Sequence, residues 1–162
     1  MKQHLVLREY YLRPGYMYIT QEANSIYTVL GNCVMVCLWD RITHLAGTCN
    51  YKFPSATEKE KATAQYGNAA LNSLIKIMAE NGCKTVNIEA MLFGGADKDY
   101  QKGIGHQNVE IAKKILKKNK IRVVSEDTGG IKGRKVIYHT VTNQAVIYKV
   151  NNLRDCDWHP YI

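Results

Sequence analysis

Of the side chains able to do covalent chemistry, Cys33 stands in the setting that singles it out. In "TVLGNCVMVCLWD", residues 28–40, it follows Gly31 and Asn32 directly and separates two apolar runs. Glycine permits a tight backbone there, and N–H groups exposed at such a turn can lower a thiol pKa and bind an oxyanion. On that reading Cys33 is a nucleophile. The competing reading is a small apolar residue ending a loop, since free cysteine is among the most buried residue types. The chain has five cysteines, an odd number without the spacing of a small disulfide framework, which fits a reducing compartment. Cys33 and Cys37 do not form a Cys-x-x-Cys pair. Even with Cys49 and the scattered histidines, the loop-tight spacing of a zinc site is missing, so neither a metal nor a cofactor is expected.

Other polar residues invite functional readings that local chemistry makes weaker. Asp40 resembles a third triad member but is better placed to start a turn, where aspartate accepts backbone N–H bonds. His44 falls in that same turn and His139 heads for a later one. Gly94, Gly95, Gly129 and Gly130 lack the fingerprint of a phosphate loop and read as tight turns lining a substrate groove. Arg134 and Lys135 are candidate contacts for an acidic partner.

The elements that must position these groups follow from periodicity. "HLVLREYYL" and "SIYTVL" have the composition of strands, broken by Pro14 and Gly15. "CVMVCLWD" and "HLAGTCNYKF" predict a hairpin across "DRIT". Ala70, Leu71, Leu74, Ile75 and Met78 recur at helical spacing, and Asn81 and Gly82 end the run. "KTVNIEAMLFGG" predicts a buried strand, "HQNVEIAKKILKK" a second helix, "IRVVSED" a strand, and "RKVIYHT" with "AVIYKV" a final hairpin. The prediction is one α+β domain over residues 1–150, with mixed or antiparallel sheets packed against two or three helices. Residues 151–162, "NNLRDCDWHPYI", read as a tail laid on the surface.

With 162 residues the chain is long enough for a core, and 46% hydrophobic with 22% charged residues is ordinary for a globular protein. There is no apolar run of membrane-span length, and Arg8 and Glu9 interrupt the N-terminus too early for a signal peptide. A cytoplasmic location without membrane insertion is the expectation. A net charge of +8 points to an acidic partner. Much of it lies in "KKILKKNKIR", residues 113–122, where Ile111, Ile115 and Leu116 supply the apolar side of a solvated helix. No aromatic or glycine-rich motif accompanies it, so nucleic acid is not the expected partner.

Together, several short motifs carry a resemblance that none carries alone. "TVLGNCVMVCLWD" resembles the "LGSCVAVCLxD" signature of the CheD family of chemoreceptor glutamine deamidases. The likeness continues in order through "QYGNAALNSLI", "LFGGA", "IGHQN" and "EDTGGIKGRKVIYHT", from about Val29 to Val150. It implies a CheD-like domain and a cysteine amidohydrolase that converts receptor glutamine side chains to glutamate with release of ammonia. It implies chemoreceptor cytoplasmic domains and a CheC-type phosphatase as partners. The family nucleophile falls on Cys33, and its helper threonine on Thr28 or one place off, at Tyr27. The family histidine belongs to "GGMNHFxLP", which aligns with "AGTCNYKFP", and its place is taken by Asn50. Asparagine cannot take a proton from a thiol near neutral pH. His106, where the family usually carries an acidic residue, is the candidate substitute base. Two functions remain open: a working or weakened deamidase, and a non-catalytic module that docks on receptors or on a CheC-type phosphatase.

Overall fold

A computed structural model describes residues 7–98 and 103–158. Among the described residues, nine strands divide between two sheets. Strands β1 (Arg8–Tyr11), β3 (Asn24–Leu30), β8 (Gly133–His139) and β9 (Gln144–Val150) form one sheet in the order β1-β3-β8-β9. Strands β2 (Tyr16–Thr20), β4 (Val34–Asp40), β5 (Ala46–Tyr51), β6 (Ile88–Gly94) and β7 (Arg122–Thr128) form the other, in the order β2-β5-β4-β6-β7. The pairs β1 with β3 and β6 with β7 are parallel and the rest antiparallel. Helices α1 (Gly67–Glu80) and α2 (Ile104–Lys118) pack together and against the five-stranded sheet.

Strand alternation divides the core into two apolar layers. Val34, Val36 and Leu38 of β4 and Ala90 and Leu92 of β6 meet Leu71, Leu74 and Met78 of α1 and Ala112, Ile115 and Leu116 of α2. The residues between them, Met35, Cys37, Met91 and Phe93, point the other way and meet Ile26, Leu30, Val136 and Tyr138 of the four-stranded sheet. A strand buried on both faces reads as a continuous apolar run, which is why "CVMVCLWD" shows no polar alternation. On α2, Lys113, Lys114, Lys117 and Lys118 are exposed, the solvated face expected of that helix.

The expected α+β domain, its two helices and both hairpins are present. The sequence reading missed β2, an edge strand behind the Pro14–Gly15 break. Positions 4–6 of the first expected strand and 159–162 of the tail lie outside the described residues. The described part of the tail is tied to the four-stranded sheet: Lys135 pairs with Asp157 at 2.6 Å, and Leu153 lies where a side chain on Gly133 would stand.

The expectation that Arg134 meets an acidic partner is corrected by the fold. Its side chain is 2% exposed, donates to the Lys132 carbonyl at 2.8 Å and pairs with Asp127 at 3.1 Å. It is an internal ion pair, since a buried guanidinium needs its counter-charge close by. Lys149 reaches the same carboxylate at 3.2 Å. Burial alone would raise the Asp127 carboxyl, but bonds from Arg134 and Lys149 outweigh it and hold it below its ordinary value. The pairing therefore stabilises the fold above the ordinary aspartate range of about 3.9 and is lost as the pH falls through the lower folded value. Asp127→Asn should lower the Tm at neutral pH and flatten its decline in acid, as read from melting curves across pH 2 to 7.

Candidate active site

Cys33 occupies a loop of three residues that carries the chain from β3 in one sheet to β4 in the other. All three loop carbonyls are engaged. Gly31 accepts from the Ala96 N–H at 3.0 Å and Cys33 from the Gly95 N–H at 2.8 Å. Asn32 accepts from Asn108 Nδ2 at 2.9 Å. Gly94 has φ +103°, and a Cβ there would stand 2.3 Å from the Cys33 carbonyl oxygen, so only glycine lets β6 approach this closely. Gly94 and Gly95 thus seat the loop, whereas Gly129 and Gly130 turn the chain after β7. Expected as groove lining, the first pair makes its close contacts with the Cys33 loop.

Thr28 and Asn50 meet across the space between the sheets. Thr28 is 2% and Asn50 0% exposed. The Thr28 hydroxyl donates to the Leu12 carbonyl at 2.6 Å and accepts from Asn50 Nδ2 at 2.9 Å. Asn50 Nδ2 also lies 3.3 Å from the Leu12 carbonyl, while its Oδ1 has no partner among the described residues. Tyr27, the alternative helper position, faces the opposite side of β3 and stacks on Tyr11 with ring centroids 5.3 Å apart. Strand alternation makes the two positions exclusive, and it is Thr28 that lies with Asn50.

The thiol is half-buried, and burial raises its pKa above the ordinary value. The Lys52 ammonium and the Cys33 backbone N–H pull the other way without overcoming it. Cys33 and Lys52 are each one step beyond the last ladder pair of β4 and β5, Val34 with Tyr51, which sets them across from one another. Lys52 and Asn108 are the residues that sequence reasoning missed. The only signal for Asn108 was its place in "IGHQN", and Lys52 gave none.

No described imidazole bonds to the thiol. His106 lies on the first turn of α2, where its backbone N–H donates to Asp97 at 3.0 Å. It lines a cleft with Asp97, Val109, Lys113, Thr128 and Gly130. Two residues along a helix are separated by roughly 200°, so the face that directs Asn108 at the loop turns His106 away from it. His44 stacks on Trp39, and His139 Nδ1 bonds Ser25 at 3.0 Å. Asp40 accepts the N–H groups of Ile42 and Thr43 at 2.7 and 3.1 Å, the expected turn. Among the described residues, no three His, Cys, Asp or Glu side chains converge as a metal site.

The model of the family described as CheD chemotactic sensory transduction matches residues 52–149, more than half of the chain. The chain belongs to the CheD family. It is 36% identical over 131 residues to the probable chemoreceptor glutamine deamidase CheD of Sulfurimonas denitrificans, covering 78% of this chain and 84% of that protein. It is 34% identical over 145 residues to the probable chemoreceptor glutamine deamidase CheD of Trichlorobacter lovleyi, covering 87% of this chain and 90% of that one. The corresponding figures for the protein named CheD 1 from Anaeromyxobacter dehalogenans are 33% over 133 residues, 80% and 77%. The match to the CheD family model begins at Lys52, just after Asn50 and well after Cys33. No described helix is long and apolar enough to cross a membrane.

Two outcomes test this geometry. Thr28→Val leaves the buried Asn50 amide only its longer contact to the Leu12 carbonyl and should cost about 1–3 kcal/mol in urea unfolding, whereas Tyr27→Phe keeps the ring stack and should change little. Alkylation of Cys33 should accelerate with pH and reach half its plateau above the range of an ordinary thiol, because burial favours the neutral form.

Proposed function

We propose that this protein is a weakened chemoreceptor glutamine deamidase, with Cys33 as nucleophile and Asn50 in the position of the family histidine. The observation that carries the reading is the arrangement of the Cys33 loop and of the Thr28–Asn50 pair, in which Asn50 is the β5 ladder partner of Met35, two residues after Cys33. The three loop carbonyls are held by protein donors, and a threonine and an asparagine bond each other across the sheets at the aligned positions. The thiolate attacks the side-chain amide carbon of a receptor glutamine. The tetrahedral adduct then expels ammonia, which needs a proton, and water hydrolyses the thioester to glutamate and free thiol.

Two features slow this sequence. Burial keeps most of the thiol protonated near neutral pH. Asn50 can neither accept the thiol proton nor return it to the leaving ammonia, and its Nδ2 is occupied by Thr28 and the Leu12 carbonyl. Positioned acid–base help is typically worth ~10²–10⁴-fold, which sets the scale of the handicap.

The locked amide of Asn50 also favours a second reading, in which the protein docks on chemoreceptors or on a CheC-type phosphatase without chemistry. Incubation with receptor cytoplasmic fragments, followed by mass spectrometry of each glutamine, separates the two. A weakened deamidase gives slow conversion that Cys33→Ala abolishes and Asn50→His accelerates by about 10²-fold or more. No conversion by either the natural chain or Asn50→His leaves only the docking role. That role in turn predicts that Cys33→Ala binds its partners unchanged.

A further inference from the structure

We propose that Asn108 is a positioning residue for Cys33, acting as a clasp that joins the nucleophile loop to the end of β5 and so keeps the Lys52 ammonium beside the thiol. The inference rests on Cys33 being the reactive thiol but not on deamidation. The Asn108 side chain is fully buried at the first turns of α2, and its one Nδ2 donates to two carbonyls on different segments: Asn32 at 2.9 Å and Lys52 at 2.8 Å. Those carbonyls flank the point where β4 and β5 stop pairing, just beyond Val34 and Tyr51. Without a bridge the two strand ends are free to splay at the place where Cys33 and Lys52 face each other.

The clasp is itself held firmly. The Tyr51 hydroxyl donates to the Asn108 backbone carbonyl, and Tyr51 is fully buried against Gly67, where a Cβ would stand 2.6 Å from its ring. A Cβ on Gly105, one helical turn earlier on α2, would stand 2.2 Å from the Ala96 carbonyl oxygen, so the helix start rests on the segment that also ties down the Gly31 carbonyl. The site therefore has three anchors, two from the segment after β6 and one from α2, and only that from α2 also reaches Lys52 at the end of β5. Lys52 is exposed while its backbone is fixed: its N–H donates to the Gln65 carbonyl at 2.9 Å and its carbonyl accepts from Asn108. A cation held there favours the thiolate over the thiol, which matters more in a site whose aligned base position is an asparagine.

The test is the pH dependence of iodoacetamide alkylation of Cys33 in the full chain carrying Cys156→Ser. Cys156 is exposed and would otherwise compete, whereas Cys37, Cys49 and Cys83 are buried. Lys52→Gln should move the curve to higher pH and slow alkylation at pH 7.5 roughly three- to tenfold, while Lys52→Arg restores it. Asn108→Ala should produce a shift in the same direction that vanishes when combined with Lys52→Gln, because the clasp acts through the lysine. Melting curves identify any variant that fails to fold. Should Asn108→Ala fail, Asn108→Ser, whose hydroxyl is too short to bridge both carbonyls, should show the shift instead. An unmoved curve for Lys52→Gln, an arginine variant that behaves like the glutamine one, or a folded Asn108 variant with normal alkylation would overturn the proposal. A normal clasp response without any receptor conversion would instead remove the deamidase reading and leave the clasp standing.

Discussion

The constraint on which the site depends is the crossing from β3 to β4 in three residues. Packed sheets lie roughly 10 Å apart, and an extended chain covers at most about 3.3–3.6 Å per residue, so Gly31, Asn32 and Cys33 have little slack. A taut crossing leaves the loop backbone to be held from outside, and its three carbonyls are taken by Ala96, Asn108 and Gly95. The same crossing puts Cys33 at the margin of the inter-sheet layer, half-buried beside an apolar core. Exposure enough to react and burial enough to raise the thiol pKa have one origin.

The inter-sheet layer also explains why Thr28 and Asn50 form a closed pair. Both are polar groups at inward positions of otherwise apolar strands, so each needs a partner, and each finds the other with the Leu12 carbonyl. An imidazole at position 50 would have a second ring nitrogen with which to exchange a proton. An amide has none, and here Nδ2 is bonded to Thr28 and the Leu12 carbonyl while Oδ1 has no partner among the described residues.

Much of this architecture was legible in the chain. The apolar run of β4, the helical spacing of Ala70 to Met78 and the turn chemistry of Asp40 each follow from local preference, and local preference agrees with the fold there. Arg134 was misread because a basic residue before "KVIYHT" looks like surface; its counter-charge is Asp127 near the end of β7, on the other side of the Gly129–Gly130 turn. His106 suffered the complementary error. Nearness in sequence to a glycine strand end suggested that it faced the site, but the rotation of α2 gives that direction to Asn108.

The sequence by itself determined most of the elements, though not β2, and, through ordered motifs, the CheD family. These depend on composition and short spacing, which a single chain displays directly. Only the tertiary structure decided that Thr28 rather than Tyr27 faces Asn50, that His106 turns away, and that Lys52 and Asn108 join the site. Each of those facts is a direction in space, set by strand parity, helix rotation or a contact between residues as far apart as Asn32 and Asn108, and no local pattern encodes it.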